Sequence, residues 1–186
     1  MVEEPRVTGG ASASHVVLAG PRAVGKTTIG KLLASTCDLP FVDLDDRSLG
    51  RFPETTVKQV WEAHGESAWR EAETASLKAV LGESRSVIAL GGGVPTIPAA
   101  RDLLDGAAAM VFWLQADSSM LAARLSAGDD DRPSLTGRSP ADEIAEICRQ
   151  RESDYQAIAD HVIDAGQRDA AMIAQSIKSM LFTNQR

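Results

Sequence analysis

Eight residues, Gly20-Pro21-Arg22-Ala23-Val24-Gly25-Lys26-Thr27, have the types and the spacing to hold a polyphosphate. They read G-x-x-x-x-G-K-T. Successive backbone N–H groups in such a loop turn inward and cradle phosphate oxygens. A helix that starts at the end of the loop adds the positive end of its dipole. Lys26 is expected to reach the β- and γ-phosphates, and the Thr27 hydroxyl to ligate Mg2+. Ala23, Val24, Gly25 and Thr28 complete the expected nucleotide cradle. A glycine-rich turn with a chance lysine would spell the same letters. Context separates the two readings. Apolar Val16-Val17-Leu18-Ala19 leads in, and Ile29, Leu32, Leu33 and Cys37 follow at helical spacing.

Two acids suit the same chemistry. Asp43 and Asp45 read as the end of the second strand, and residues two apart on a strand share a face. One carboxylate can support Mg2+, directly or through water. The other can orient an attacking hydroxyl. D-x-D alone is more often a solvated strand end; a phosphate loop one strand earlier gives it meaning. The third strand, Val87-Ile88-Ala89-Leu90, runs into Gly91-Gly92-Gly93 and carries no terminal acid. Asp43 is therefore the expected metal-side acid. The triplet lets backbone approach a ligand closely, with N–H groups for a hydroxyl or carboxylate.

Three arginines could hold anions. Arg70 is followed three residues later by Glu73, a neighbour on the same helix face. Arg151 falls on an apolar stripe with Ile144, Ile147, Cys148, Tyr155 and Ile158. A charge facing inward needs a partner. That partner is either an internal carboxylate or a carboxylate substrate. Arg132 sits in a polar loop beside Asp129-Asp130-Asp131. It is either a solvated charge or a lid arginine that closes on the phosphates, a role worth about 10³–10⁵ in rate in phosphoryl-transfer enzymes. His15, His64 and His161 share no spacing, and Trp61, Trp69 and Trp113 read as packing residues.

These groups need a scaffold. At 186 residues, with 44% hydrophobic and 24% charged content, the chain suits one globular domain with a real core. A net charge of −7 argues against a nucleic-acid binder. No apolar run approaches membrane-spanning length, and no signal-peptide pattern opens the chain. Cys37 and Cys148 read as reduced thiols on apolar helix faces, which suits the cytoplasm. Residues 1–14 read as a loose tail and 15–186 as the domain. Strands are predicted at 15–19, 41–44, 86–90, 108–114 and 161–164. Helices are predicted at 26–37, 55–63, 66–81, 98–105, 117–126, 139–159 and 169–182. Such alternation implies an α/β fold with a parallel sheet covered on both faces, and ligands at the carboxyl ends of the strands. A helical insertion spans about 46–85, and a polar loop about 126–139. The loop has the length of a lid, and phosphoryl transfer needs water excluded.

Taken in order, the motifs G-x-x-x-x-G-K-T, F-V-D-L-D, G-E-x-x-W-R-x-x-E, L-G-G-G, R-P and R-x-x-x-Y resemble the shikimate kinase family over residues 16–180. The resemblance implies a five-stranded parallel sheet in the order 2-3-1-4-5, of the P-loop nucleoside-monophosphate-kinase type. It implies a monomer that uses ATP and Mg2+ to phosphorylate the 3-hydroxyl of shikimate on the route to chorismate. By position, Lys26 and Thr27 serve ATP and Mg2+, and Asp43 supports the metal. Asp45, Arg70, Arg151 and the triplet Gly91, Gly92, Gly93 bind shikimate, with Asp45 orienting the hydroxyl. Arg132 serves ATP from the lid, and Arg168 from the adenine-side loop. Four features depart from the family pattern. Ala23-Val24 replace a glycine and a small polar residue, and three aspartates adjoin Arg132. Leu125 stands where some members carry an arginine, with Arg124 beside it, and Ala170 where proline is common. Two other readings compete: a kinase of another hydroxy acid such as gluconate, and a silent nucleotide-binding regulator. The D-x-D, arginine and glycine set argues against the first; intact Lys26, Asp45 and Arg132 argue against the second.

Overall fold

The structure, a computed structural model, describes residues 14–127, 138–166 and 168–183. Five strands, β1 (His15–Ala19), β2 (Phe41–Asp43), β3 (Val87–Ala89), β4 (Ala109–Gln115) and β5 (His161–Asp164), form one sheet. Its order is β2-β3-β1-β4-β5, with every pair parallel. The order and the α/β class agree with expectation. The apolar run of β1 belongs at the centre, where a parallel strand is covered on both faces. Val16 and Leu18 enter one core cluster, while Val17 and Ala19 enter the other. That is the two-residue period of a strand dividing its side chains between two layers.

Seven helices cover the sheet among the described residues: α1 (Lys26–Cys37), α2 (Leu44–Leu49), α3 (Val57–Leu81), α4 (Pro98–Gly106), α5 (Ser118–Ala127), α6 (Pro140–Ile158) and α7 (Ala170–Thr183). One core joins Ile29 and Leu33 of α1 to Ile173 and Ile177 of α7. The other joins Leu77 and Val80 of α3 to Leu104 of α4 and Tyr155 of α6. At Gly30 of α1 a Cβ would overlap the Phe41 ring, so helix and strand meet at a distance only glycine permits. α6 starts where the Ser139 hydroxyl accepts from the Asp142 N–H at 3.3 Å, and Asp142 and Glu143 favour the positive helix end.

Two expectations need correction. The second strand ends at Asp43, and Asp45 lies in the first turn of α2. Asp43 is the N-cap of that helix, and its Oδ1 accepts from the Asp45 N–H at 3.1 Å. An aspartate that can cap a helix stops the strand there, so the shared-strand-face reading of Asp43 and Asp45 fails. The helices predicted at 55–63 and 66–81 are two arms of α3, joined at Gly65 with φ 80° and ψ 170°. The segment with Asp129-Asp130-Asp131 and Arg132, most of the 126–139 loop, and residues 1–13 lie outside the described residues.

Candidate active site

The phosphate loop leaves β1 and enters α1 through three residues of positive φ: Gly20 (143°), Ala23 (61°) and Gly25 (102°). A Cβ at Gly20 would stand 2.5 Å from the Leu114 carbonyl oxygen, so the first glycine is demanded by β4 as well as by the turn. Lys26 folds its ammonium over the loop and donates to the Gly20 and Pro21 carbonyls, both at 2.8 Å. Thr27 Oγ1 donates to Asp43 Oδ2 at 2.8 Å. Arg22, Ala23, Gly25, Lys26, Thr27, Thr28, Asp43, Asp45 and Arg124 help wall a cavity of about 320 Å³. Val24 is 1% exposed and belongs to the core, so only its backbone can serve a ligand. The valine that departs from the family pattern is thus a packing residue.

A second cavity opens beside the first. It is walled by Asp45, Val57, Trp61, Trp69, Arg70, Glu73, Gly92, Gly93, Arg151 and Arg22. The structure therefore gathers Asp45, Arg70, Gly92, Gly93 and Arg151, whose sequence positions span more than a hundred residues. Arg70 donates through Nη1 to Glu73 Oε2 at 2.8 Å and through Nη2 to Glu66 Oε1 at 2.9 Å. Its guanidinium also lies 5.7 Å from the Trp61 ring centroid. Arg151 donates through Nη1 to the Gly92 carbonyl at 3.0 Å. Tyr155 donates its hydroxyl to the same oxygen at 2.7 Å. Among the described residues Arg151 thus holds a neutral carbonyl rather than an internal carboxylate.

Two glycines of the triplet, Gly91 and Gly93, are explained by their neighbours. A Cβ at Gly91 would stand 2.5 Å from Asp45 Oδ1 and 2.5 Å from Glu73 Oε1. At Gly93 it would overlap the Arg70 guanidinium. At Gly92 it would meet Gly20 O at 3.6 Å and the Arg22 amide nitrogen at 3.7 Å, ordinary contact distances. Gly91 itself stands behind the cavity wall, where it gives two acid side chains room to converge.

The electrostatics are uneven. Burial pushes the Glu73 carboxyl up to about 7, Asp45 adds to that, and Arg70 offsets only part of it. Burial alone would lower the Arg70 guanidinium, but Glu73 and Glu66 more than reverse this and hold it charged. Burial raises the Tyr155 phenol, which stays protonated and can keep donating to Gly92. Cys148 is half-buried and free, with its thiol raised by burial; Cys37 is also free.

A family model described as Shikimate kinase matches residues 22–182. The chain belongs to the shikimate kinase family. Shikimate kinase 2 of Syntrophotalea carbinolica is 38% identical over 165 residues, covering 88% of this chain and 94% of the relative. The shikimate kinase of Rhodopirellula baltica is 40% identical over 163 residues, covering 83% of each. Among solved structures, shikimate kinase from Acinetobacter baumannii in complex with shikimate aligns with a TM-score of 0.86 at 27% identity. That alignment covers 94% of this chain and 96% of that one. The matches to the shikimate kinases and the P-loop fold of this sheet agree with the sequence resemblance.

For a shikimate kinase chain, one expected site residue stands apart. Arg168 donates to Ser176 Oγ on α7 at 2.9 Å and does not wall the phosphate cavity. Arg132 lies outside the described residues. Arg124 is closer than expected: it donates to the carbonyls of Ala23 at 3.2 Å and Gly166 at 3.3 Å. Trp61 and Trp69 wall the second cavity, which corrects their reading as packing residues alone. Trp113 is core and stacks on Tyr155 with centroids 5.7 Å apart. Arg22 and Tyr155 were not singled out as site residues. The i, i+4 spacing of Arg151 and Tyr155 carried a signal for Tyr155, since both must face Gly92. Arg22 carried none, because the loop pattern demands only backbone there.

Proposed function

We propose that this chain transfers the γ-phosphoryl group of ATP to the 3-hydroxyl of shikimate, giving shikimate 3-phosphate and ADP in the route to chorismate. One observation carries the reading: Asp45 walls both cavities, the one built on the phosphate loop and the one built on Arg70, Arg151 and Gly92. A hydroxyl held by Asp45 would face the end of a triphosphate lying in the loop. Arg70 and Arg151 suit the acceptor carboxylate, and the Gly92–Gly93 backbone suits its remaining hydroxyls. In the transfer, the acceptor oxygen forms a bond to the γ-phosphorus. The bond from that phosphorus to the β,γ-bridging oxygen breaks, and its electron pair leaves with ADP. The hydroxyl proton leaves toward Asp45.

Lys26 would move from the loop carbonyls to the β- and γ-phosphates, keeping its charge beside them. A hydroxyl and a carboxylate, Thr27 Oγ1 and Asp43 Oδ2, lie 2.8 Å apart at the head of α1. They are hard oxygen donors of the kind Mg2+ takes when phosphates and water fill its remaining positions. When bound there, Mg2+ would neutralise phosphate charge. Ala23, Val24, Gly25 and Thr28 offer backbone or hydroxyl donors to the nucleotide, and Gly91 holds the two acids apart. Arg132, from a lid over about 126–139, would add charge at the phosphates, and Arg168 would serve the adenine side after turning away from Ser176. The insertion 46–85 is the acceptor-binding part of a single domain running from 15 to 186. We further take the protein to be a cytoplasmic monomer with no nucleic-acid or membrane partner; no helix among the described residues is long and apolar enough to cross a membrane.

The test is ADP release with ATP and Mg2+ against shikimate, quinate, gluconate and AMP. Turnover is expected with shikimate far above the other three. Preference for gluconate or AMP would overturn the reading.

A further inference from the structure

Among the described residues, two wall both the phosphate cavity and the acceptor cavity: Asp45 and Arg22. The other cations each face one side. Lys26 belongs to the phosphate cavity, Arg70 and Arg151 to the acceptor cavity. A group that walls both stands at the boundary the phosphoryl group must cross. The backbone fixes Arg22 there. Its amide nitrogen would be 3.7 Å from a Cβ on Gly92, so the phosphate loop lies against the glycine turn that floors the acceptor cavity. Its Nη2 is buried from solvent. Arg22 as a whole is half-buried, and a charged nitrogen out of contact with water acts on nearby charge more strongly than one in solvent.

We infer that Arg22 is a further catalytic residue, which holds the equatorial oxygens of the phosphoryl group in transit. It is the cationic counterpart of Asp45: the carboxylate orients the incoming oxygen, and the guanidinium steadies the charge of the group being passed. Arg22 donates hydrogen bonds and keeps all its protons. The O–P bond that forms, the bridging P–O bond that breaks and the proton released toward Asp45 are those of the transfer above. A planar guanidinium presents two parallel N–H donors, which matches two oxygens of a flattened phosphoryl group. This inference rests on the reading of the chain as a kinase of shikimate.

The experiment compares wild type with Arg22→Met and Arg22→Lys. It measures kcat, both KM values, and binding of ADP with Mg2+ and aluminium fluoride in the presence of shikimate. A residue that acts on the group in transit should lower kcat about 100-fold in Arg22→Met, with both KM values within about 3-fold. Arg22→Lys should recover about 10-fold of that loss, because it restores the charge without the fork. ADP affinity should stay unchanged while the aluminium fluoride complex weakens with kcat. A kcat within about 3-fold of wild type overturns the inference. So does a loss confined to the KM for shikimate, which would make Arg22 a carboxylate anchor, or a parallel loss of ADP affinity, which would make it a support of the loop. Wild type inactive on shikimate overturns the kinase reading and this inference together; active wild type with unaffected Arg22→Met overturns Arg22 alone.

Discussion

Glu73 accepts from Arg70 Nη1 at 2.8 Å while only 1% of its side chain reaches solvent. The pair is one-sided: Arg70 also holds Glu66, whereas Glu73 sits beside Asp45 with its carboxyl raised to about 7 by burial. Between the ordinary carboxyl value of 4.5 and about 7, the folded protein keeps a proton that the unfolded chain has lost. Folding stability from this group is therefore highest at low pH and falls as pH rises through that window. Urea unfolding at pH 5 and pH 8 should show a drop in wild type, on the order of 1–3 kcal/mol, that is absent in Glu73→Gln. Equal pH dependence in the two proteins would refute the raised carboxyl.

Gly91→Ala should separate geometry from stability. A Cβ 2.5 Å from both Asp45 Oδ1 and Glu73 Oε1 must push one acid away. Turnover should fall about 10²-fold, because a misplacement near 1 Å costs that much in an oriented reaction. Unchanged turnover would show that the two acids can rearrange without loss.

Asp45→Asn should keep nucleotide affinity and lose turnover by about 10²–10⁴-fold, the usual worth of a positioned acid–base group. Nucleotide titration and steady-state rates measure the two separately. Near-normal turnover would show that Asp45 does not handle the attacking hydroxyl.

Arg70→Ala and Arg151→Ala should each raise the shikimate KM about 10- to 100-fold, the worth of a charged hydrogen bond. Arg151→Ala also removes one of the two donors to the Gly92 carbonyl, the other being Tyr155. A change in the ATP KM alone would reassign both arginines.

Lys26→Ala should lower turnover at least about 10²-fold with the fold retained, as circular dichroism and a thermal scan would show. The lysine donates to the Gly20 and Pro21 carbonyls of its own loop, contacts that pair no strands. Full activity would remove the phosphate loop from the mechanism.

The parallel sheet was legible because its strands are apolar runs between helical periods, and the phosphate loop because its glycines are demanded by backbone geometry. Arg70 and Arg151 were legible as charges with helical neighbours. Asp45 was found as a residue but misplaced as an element: in F-V-D-L-D nothing local tells a fifth strand residue from the first turn of a helix. The Asp43 side chain decides it by capping. Glu73 was read as an aid to Arg70, because burial of a carboxyl depends on what packs above it. Trp61 and Trp69 were read as core, because a helix period cannot tell a core from a pocket wall. Arg22 was invisible because it walls both cavities only once the glycine turn, seventy residues away, lies beside the phosphate loop.

The Gly92 carbonyl also bears on how the molecule is made. It receives Arg151 and Tyr155, 59 and 63 residues further along the chain. A ribosome releases the phosphate loop, β3 and the glycine turn well before α6 emerges. The first two-thirds of the chain can form its local helices, yet the acceptor cavity lacks a wall until α6 returns across the sheet. Closing so distant a contact belongs to the late stages of folding. A nascent or truncated chain ending before residue 151 should then hold nucleotide-binding elements without an acceptor site, so that capacity for transfer arrives with the completion of the fold.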